Sequence, residues 1–145
     1  MTTKKLGWAA GALALCLSGA AFADGGPMCR AWRLNGLYLF SATGYNIVPG
    51  AAEPSQPKAI VELIQFNGDG TLSVPGATRS VNGVIGRSPP GGTGIYALDA
   101  DCRGTLSFTN GPSFDIYVAP GEQDLWMIQT NDNTVFQGTV TKISP

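Results

Sequence analysis

A single glutamate interrupts the longest apolar strand-like segment of the chain. The segment covers residues 59–66, and Glu62 alternates in it with Ile60, Ile64 and Phe66. In a strand, these alternate positions lie on one face. If that face lined the interior of a barrel, loss of water would raise the pKa of the carboxyl. Glu62 is therefore our candidate catalytic residue, as a general acid or as a hydrogen-bond donor to a ligand.

The opposite orientation of this strand fits the same alternation. In that case Ala59, Val61 and Leu63 face the core and Glu62 faces water. Glutamate is rarely buried without a partner, so the solvent-facing orientation is the default expectation.

The residues that other common catalytic and metal-binding sites require are missing from the sequence. The chain contains no histidine, which removes Ser-His-Asp and Cys-His catalysis and imidazole metal ligands. Asp99 and Asp101 are expected to form a solvated turn rather than an acid–base pair. Asn67, Asp69 and Thr71 are spaced like the start of a calcium loop, but the glutamate that such a loop needs is missing. We therefore expect no metal and no cofactor, and whether the protein is an enzyme stays open, with binding favoured.

The first 23 residues have the features of a signal peptide. Lys4 and Lys5 precede an apolar stretch over residues 6–17, and residues 21–23 form an A-x-A cleavage site. The mature chain is expected to begin at Asp24 and to form one domain over residues 24–145, without a transmembrane segment. We predict that this domain is secreted or periplasmic in a bacterium.

The cysteines fit an oxidising compartment. Cys16 lies in the leader, and Leu15 before it does not suit a lipidation site. Cys29 and Cys102 remain in the mature chain, and we predict that they form a disulfide; two free thiols are the alternative.

Charge excludes one class of partner. The chain has nine lysines and arginines against ten aspartates and glutamates, and the positive residues are scattered. A surface that binds nucleic acid needs clustered positive charge, so no nucleic-acid partner is expected.

The mature chain alternates with a period of two and shows no long helical repeat. Eight short segments rich in β-branched and aromatic residues follow one another, separated by turn sequences such as Asn67-Gly68-Asp69-Gly70. Residues 48–57 and 82–92 are interpreted as longer loops. We predict an all-β fold, an eight-stranded antiparallel up-and-down barrel, with a two-sheet sandwich as the alternative. A barrel of eight strands either fills its interior or holds one small ligand.

Aromatic and polar side chains on the predicted strands could form a binding pocket. In the segment near the C-terminus, Leu125, Met127 and Gln129 share one face, and Trp126, Ile128 and Thr130 share the other. Most aromatic residues of such a domain are ordinary core. The candidate ligand-binding residues are Tyr38, Phe40, Glu62, Tyr96 and Gln129.

Five short motifs lie at residues 36–40, 66–71, 92–96, 101–106 and 125–130. In their order and spacing they resemble the motifs of small exported bacterial proteins with an allene-oxide-cyclase-like, calycin-type β-barrel. The resemblance implies an eight-stranded barrel with an apolar lumen. It also implies that some relatives are cyclases or isomerases that shape a reactive substrate without a cofactor, but no family catalytic residue maps onto this chain.

Three functions follow as hypotheses. The first is a barrel that binds a small apolar ligand in its lumen. The second is a cofactor-independent cyclase or isomerase, in which Glu62 makes the polar contact and Gln129 assists. The third is a structural or partner-binding protein whose lumen is filled with side chains.

Overall fold

The computed structural model describes residues 29–145, which form an all-β fold with one short 3-10 helix, η1 (Ala31–Arg33). The predicted signal peptide and the mature start at Asp24 lie outside these residues. The strands are β1 (Asn35–Ile47), β2 (Ser55–Asn67), β3 (Thr71–Val81), β4 (Val84–Ser88), β5 (Gly92–Leu98), β6 (Arg103–Phe108), β7 (Ser113–Val118), β8 (Asp124–Gln129) and β9 (Thr134–Ser144).

Eight of these strands close into an antiparallel barrel, as predicted. Neighbours run in the order β1-β2-β3-β5-β6-β7-β8-β9, and β9 pairs back onto β1. The first and last strands are therefore joined by a ladder, in which Phe40 lies opposite Val140. Closure leaves none of the eight barrel strands with a fully unpaired edge, which distinguishes this barrel from the sandwich alternative.

β4 corrects the prediction that residues 82–92 form a loop. It pairs with the second half of β3, with Val84 opposite Val81. The turn between them is Asn82-Gly83, and both residues have positive φ, 48° and 82°. Asn-Gly is a strong signal for a two-residue hairpin, but the strand after it is short and its apolar residues face water. Val84 is 73% exposed. The strand has no buried face, so the sequence lacks the alternation of apolar and polar residues that would predict it.

Inward and outward residues alternate along the barrel wall. In β8, Leu125 and Met127 are buried, whereas Trp126 and Ile128 are about half exposed on the outer face. The predicted division of this strand into two faces is therefore confirmed.

One end of the barrel is filled and closed. Tyr38, Phe66 and Tyr96 pack edge to face across it, with ring centroids 5.1 and 5.0 Å apart. The Tyr96 hydroxyl donates to the carbonyls of Ala31 and Leu34, each at 2.9 Å, and so holds η1 over this end. Because these rings fill the section, the closed end has no room for a ligand.

Two further links fasten the closed end. Cys29 and Cys102 form the predicted disulfide, with Cα atoms 4.9 Å apart. Arg33 in η1 makes an ion pair with Glu122 at 3.2 Å, and the Tyr38 hydroxyl donates to the Glu122 carbonyl at 2.7 Å. The segment before β1 is thereby tied to two turns of the barrel.

No helix in the stretch 29–145 is both long and apolar enough to cross a membrane.

Candidate functional site

A cavity of about 410 Å³ occupies the other end of the barrel. Its apolar wall contains four phenylalanines, of which three are buried: Phe40, Phe114 and Phe136, with Phe108 beside them. Phe40 packs edge to face on Phe114 and Phe136, at centroid distances of 5.9 and 6.4 Å. Exposed residues such as Arg79 and Pro89 form its rim, so the cavity opens to solvent.

Glu62 lines this cavity, so the default expectation that it faces solvent was wrong. Its strand places Ile64 and Phe66, which are fully buried, on the same face, whereas Val61 is 50% exposed. In the sheet register Glu62 lies between Phe40 and Ala77. The closed barrel decides the orientation, because reversing β2 would expose Ile64 and Phe66 to water.

No hydrogen bond joins the Glu62 carboxyl to another residue among residues 29–145. Burial raises the pKa of Glu62 to about 7, because loss of water disfavours the charged form. The group can therefore hold or release a proton near neutral pH and has its hydrogen-bonding capacity free for a molecule in the cavity.

Lys58 lies on the same strand face, nearer the mouth. Its ammonium donates to Gln129 Oε1 at 2.9 Å and to Asn46 Oδ1 at 3.3 Å, and lies 4.0 Å from the centre of the Phe136 ring. Gly44 lies between Lys58 and Phe136 in the register, so no side chain separates them. Burial lowers the pKa of Lys58.

Arg79 adds a second cation to the rim. It lies opposite Gly86 in the β3–β4 hairpin, and a Cβ atom at Gly86 would come within 3.2 Å of the guanidinium carbon. The glycine thus lets the guanidinium lie flat across β4. Within the described part of the chain, Arg79 makes no ion pair and no hydrogen bond through its side chain.

The structure separates the predicted ligand-binding residues into two groups. Phe40, Glu62 and Gln129 all line the cavity. Tyr38 and Tyr96 lie at the closed end instead, where their hydroxyls donate hydrogen bonds to backbone carbonyls. Burial, aided by Glu122 and Tyr96, raises the pKa of Tyr38 to about 12, so it stays a hydrogen-bond donor.

Lys58 and Arg79 were not among the candidates from sequence. Lys58 lies four residues before Glu62, which places both on one face of a strand, so the period of two could have found it. Arg79 had no such signal, because β3 contains an irregularity between Ser73 and Gly76 that changes which positions face inward.

The acidic residues in the turns of the described chain do not form a metal site. Asp69 accepts hydrogen bonds from the Thr71 backbone amide at 2.9 Å and hydroxyl at 2.6 Å, which lowers its pKa and closes the turn. Asp101 pairs with Arg103 on the surface. No group of three or more metal-ligating side chains occurs between residues 29 and 145.

No protein-family model matches this chain, and neither the curated proteins nor the solved structures give a match. The architecture is an eight-stranded antiparallel barrel, which is consistent with a calycin-like barrel, and the resemblance to allene-oxide-cyclase-like proteins stays a prediction.

Proposed function

We propose that this protein is an exported binding module that holds one small molecule in the open half of its barrel. The observation that carries the proposal is the cavity of about 410 Å³, whose mainly apolar lining includes four phenylalanines. Pockets for small molecules commonly measure about 300–1,000 Å³, are largely apolar, and fix orientation with a few polar groups. Glu62, Lys58 and Gln129 supply such groups.

The cavity supports this function over that of a barrel filled with side chains. The closed half is packed by large buried residues, among them Tyr38, Phe66 and Tyr96. The wall of the open half includes small side chains at Ala77, Ser88 and Gly92. Such a mixed lining leaves room for a ligand. It is not expected in a purely structural barrel, because protein interiors are close-packed.

Export is part of the proposal and is supported by two independent features. The leader sequence directs the chain out of the cytoplasm, and the Cys29–Cys102 disulfide suits an oxidising compartment. A ligand would then be captured in the periplasm or outside the cell.

Native mass spectrometry of protein purified from its own host tests the binding function. We expect a species heavier than the mature chain by the mass of a small molecule, which dissociates on denaturation. Ala77→Trp, whose ring would fill the cavity opposite Glu62, should lose that species. Ala97→Trp, on the exposed outer face of β5, should keep it.

A companion titration keeps the test decisive if the ligand is lost in purification. The neutral fluorophore N-phenyl-1-naphthylamine should bind the wild type and Ala97→Trp but not Ala77→Trp. If the wild type carries no small molecule and binds no probe, the binding function is wrong.

A second candidate function, a cofactor-free cyclase or isomerase, is favoured by one observation. The carboxyl of Glu62 has a pKa of about 7 and lines the cavity, where it forms no hydrogen bond with another residue of the described chain. Such a group can donate a proton to a reacting oxygen at neutral pH. If the bound molecule is converted by the wild type, Glu62→Gln should abolish conversion while retaining the mass of the complex; unchanged conversion would exclude Glu62 as the acid.

A further inference from the structure

We infer that the molecule bound in the cavity is a compact organic anion, with a ring-bearing apolar body and one negatively charged group. This inference rests on the proposed binding function and specifies its ligand class. The body would lie on the phenylalanine wall, and the charged group would lie at the rim between Lys58 and Arg79.

The positive charge of the rim is not compensated within the described chain. Lys58 is held by the amide oxygens of Asn46 and Gln129, which are neutral. Within residues 29–145, Arg79 has no carboxylate partner, and the ion pairs that form there, Arg33–Glu122 and Arg103–Asp101, do not line the cavity. Two unpaired cations at the mouth of a low-dielectric cavity attract and orient an anion.

The cavity itself offers little opposing charge. Among the described residues that line it, Glu62 is the only carboxyl. Burial raises its pKa to about 7, so a large fraction is uncharged at neutral pH. Deeper in the cavity the neutral carboxyl can donate a hydrogen bond to an oxygen on the ligand body.

The dimensions favour a compact body. Lys58 and Glu62 are four residues apart on β2, which is about 13 Å along a strand, and the buried rings of the closed half lie directly below. A fully extended long acyl chain would reach beyond this depth. A body of two or three rings fits between the rim and the phenylalanines.

The two cations keep hydrogen-bond donors available for a charged group. The Lys58 ammonium has three protons, of which two are used by Gln129 and Asn46, so one remains for a ligand. The Arg79 guanidinium presents a planar set of donors that matches a carboxylate or sulfonate.

A matched pair of fluorophores tests the charge requirement. 1-Anilinonaphthalene-8-sulfonate and N-phenyl-1-naphthylamine share the same aromatic body, and only the first carries a sulfonate. We expect the wild type to bind the sulfonate about tenfold more tightly. Lys58→Met and Arg79→Met should each weaken sulfonate binding about five- to tenfold and weaken binding of the neutral probe much less.

Two variants serve as matched controls. Arg87→Met removes the same charge from β4, but Arg87 is exposed and does not line the cavity, and Lys142→Met removes a lysine from the opposite end. Neither should change the affinity of either probe by more than about twofold. Retained binding of the neutral probe shows that a variant is folded.

The outcomes separate the two proposals. Equal affinity for both probes, with no effect of Lys58→Met or Arg79→Met, overturns the anion preference and leaves the binding function standing. Failure of both probes to bind the wild type overturns the binding function and the anion preference with it. Sulfonate binding that survives Ala77→Trp would come from the outer surface and would also overturn the inference.

Discussion

At the scale of single residues, the protonation of Glu62 links stability to pH. Its pKa in the folded state is about 7, above the ordinary value of 4.5. The folded protein therefore binds this proton more tightly than the unfolded chain, so the stabilisation is fully present below pH 4.5 and is lost as pH rises through about 7.

We predict that Glu62→Gln raises the free energy of unfolding at pH 8 by on the order of 2 kcal/mol and changes it little at pH 5. The figure allows for partial screening, because the carboxyl faces a cavity open to water. Urea denaturation of both proteins at pH 5, 6, 7 and 8 measures the difference.

Glu53→Gln is the control, since Glu53 lies exposed in the loop between β1 and β2. Its stability should follow that of the wild type at every pH. Other shifted carboxyls do not interfere, because the pKa values of Asp69 and Asp101 are lowered and act at more acidic pH. A constant difference between Glu62→Gln and the wild type from pH 5 to 8 would contradict the prediction.

At the scale of strands and turns, close packing between neighbours restricts some positions to glycine. A Cβ atom at Gly44 in β1 would clash with the backbone carbonyl of Val135 in β9. We expect Gly44→Ala to lower the free energy of unfolding by about 2 kcal/mol or more, because backbone must move to relieve the overlap. Thermal denaturation measures it.

Gly76→Ala in β3 is the matched control, because a Cβ there would meet only the Ser88 carbonyl at 3.9 Å. That variant should be close to wild type or slightly more stable, since alanine restricts the unfolded chain. Equal loss in both variants would mean that the loss at Gly44 does not come from the contact between β1 and β9.

The hydroxyl of Tyr96 fastens η1 to the barrel, and this role can be tested apart from the cavity. Tyr96→Phe leaves the carbonyls of Ala31 and Leu34 without this donor. We expect it to lower the free energy of unfolding by about 1–3 kcal/mol and to leave the affinity for N-phenyl-1-naphthylamine unchanged. A loss of probe affinity without a loss of stability would instead indicate that Tyr96 contributes to ligand binding.

The elements that the sequence predicted are those with a buried face or a distinctive turn. Residues 59–66 and 125–130 alternate clearly, and Asn67-Gly68-Asp69-Gly70 carries the residues that tolerate positive φ at Gly68 and Gly70. β4 was missed because neither of its faces is buried. β2 was expected to begin at Ala59 but begins at Ser55, since Pro57 suggested a loop.

The candidate site was only partly predictable for a related reason. The alternation with a period of two places Glu62 on the same face as Ile60 and Ile64. Which face of β2 points into the barrel depends on how β2 pairs with β1 and β3, and the alternation within β2 does not contain that information. The same alternation could not assign Tyr38 and Phe40 to opposite halves of the barrel. That assignment depends on depth along the strand, which the position of η1 settles.

At the scale of the whole molecule, the stabilising contacts described above and the cavity lie at opposite ends of one barrel. The closed end holds the disulfide, the Arg33–Glu122 ion pair and the packed tyrosines. Among residues 29–145, the open end holds the cavity, two cations that form no ion pair and the Glu62 carboxyl, which forms no hydrogen bond. Rigid support beneath a partly empty site is how a binding scaffold keeps its pocket formed in the absence of ligand.

Removal of the disulfide tests this division directly. Cys29 and Cys102 are 73 residues apart in the chain, and a crosslink over that span stabilises by about 4 kcal/mol on the loop-entropy model. We expect Cys29→Ala/Cys102→Ala to lose about that much in urea denaturation while binding N-phenyl-1-naphthylamine with wild-type affinity under native conditions. Reduction of the wild type should reproduce both results, which controls for the substitutions themselves. If affinity falls in parallel with stability, the two ends are coupled, and the closed half then takes part in shaping the cavity.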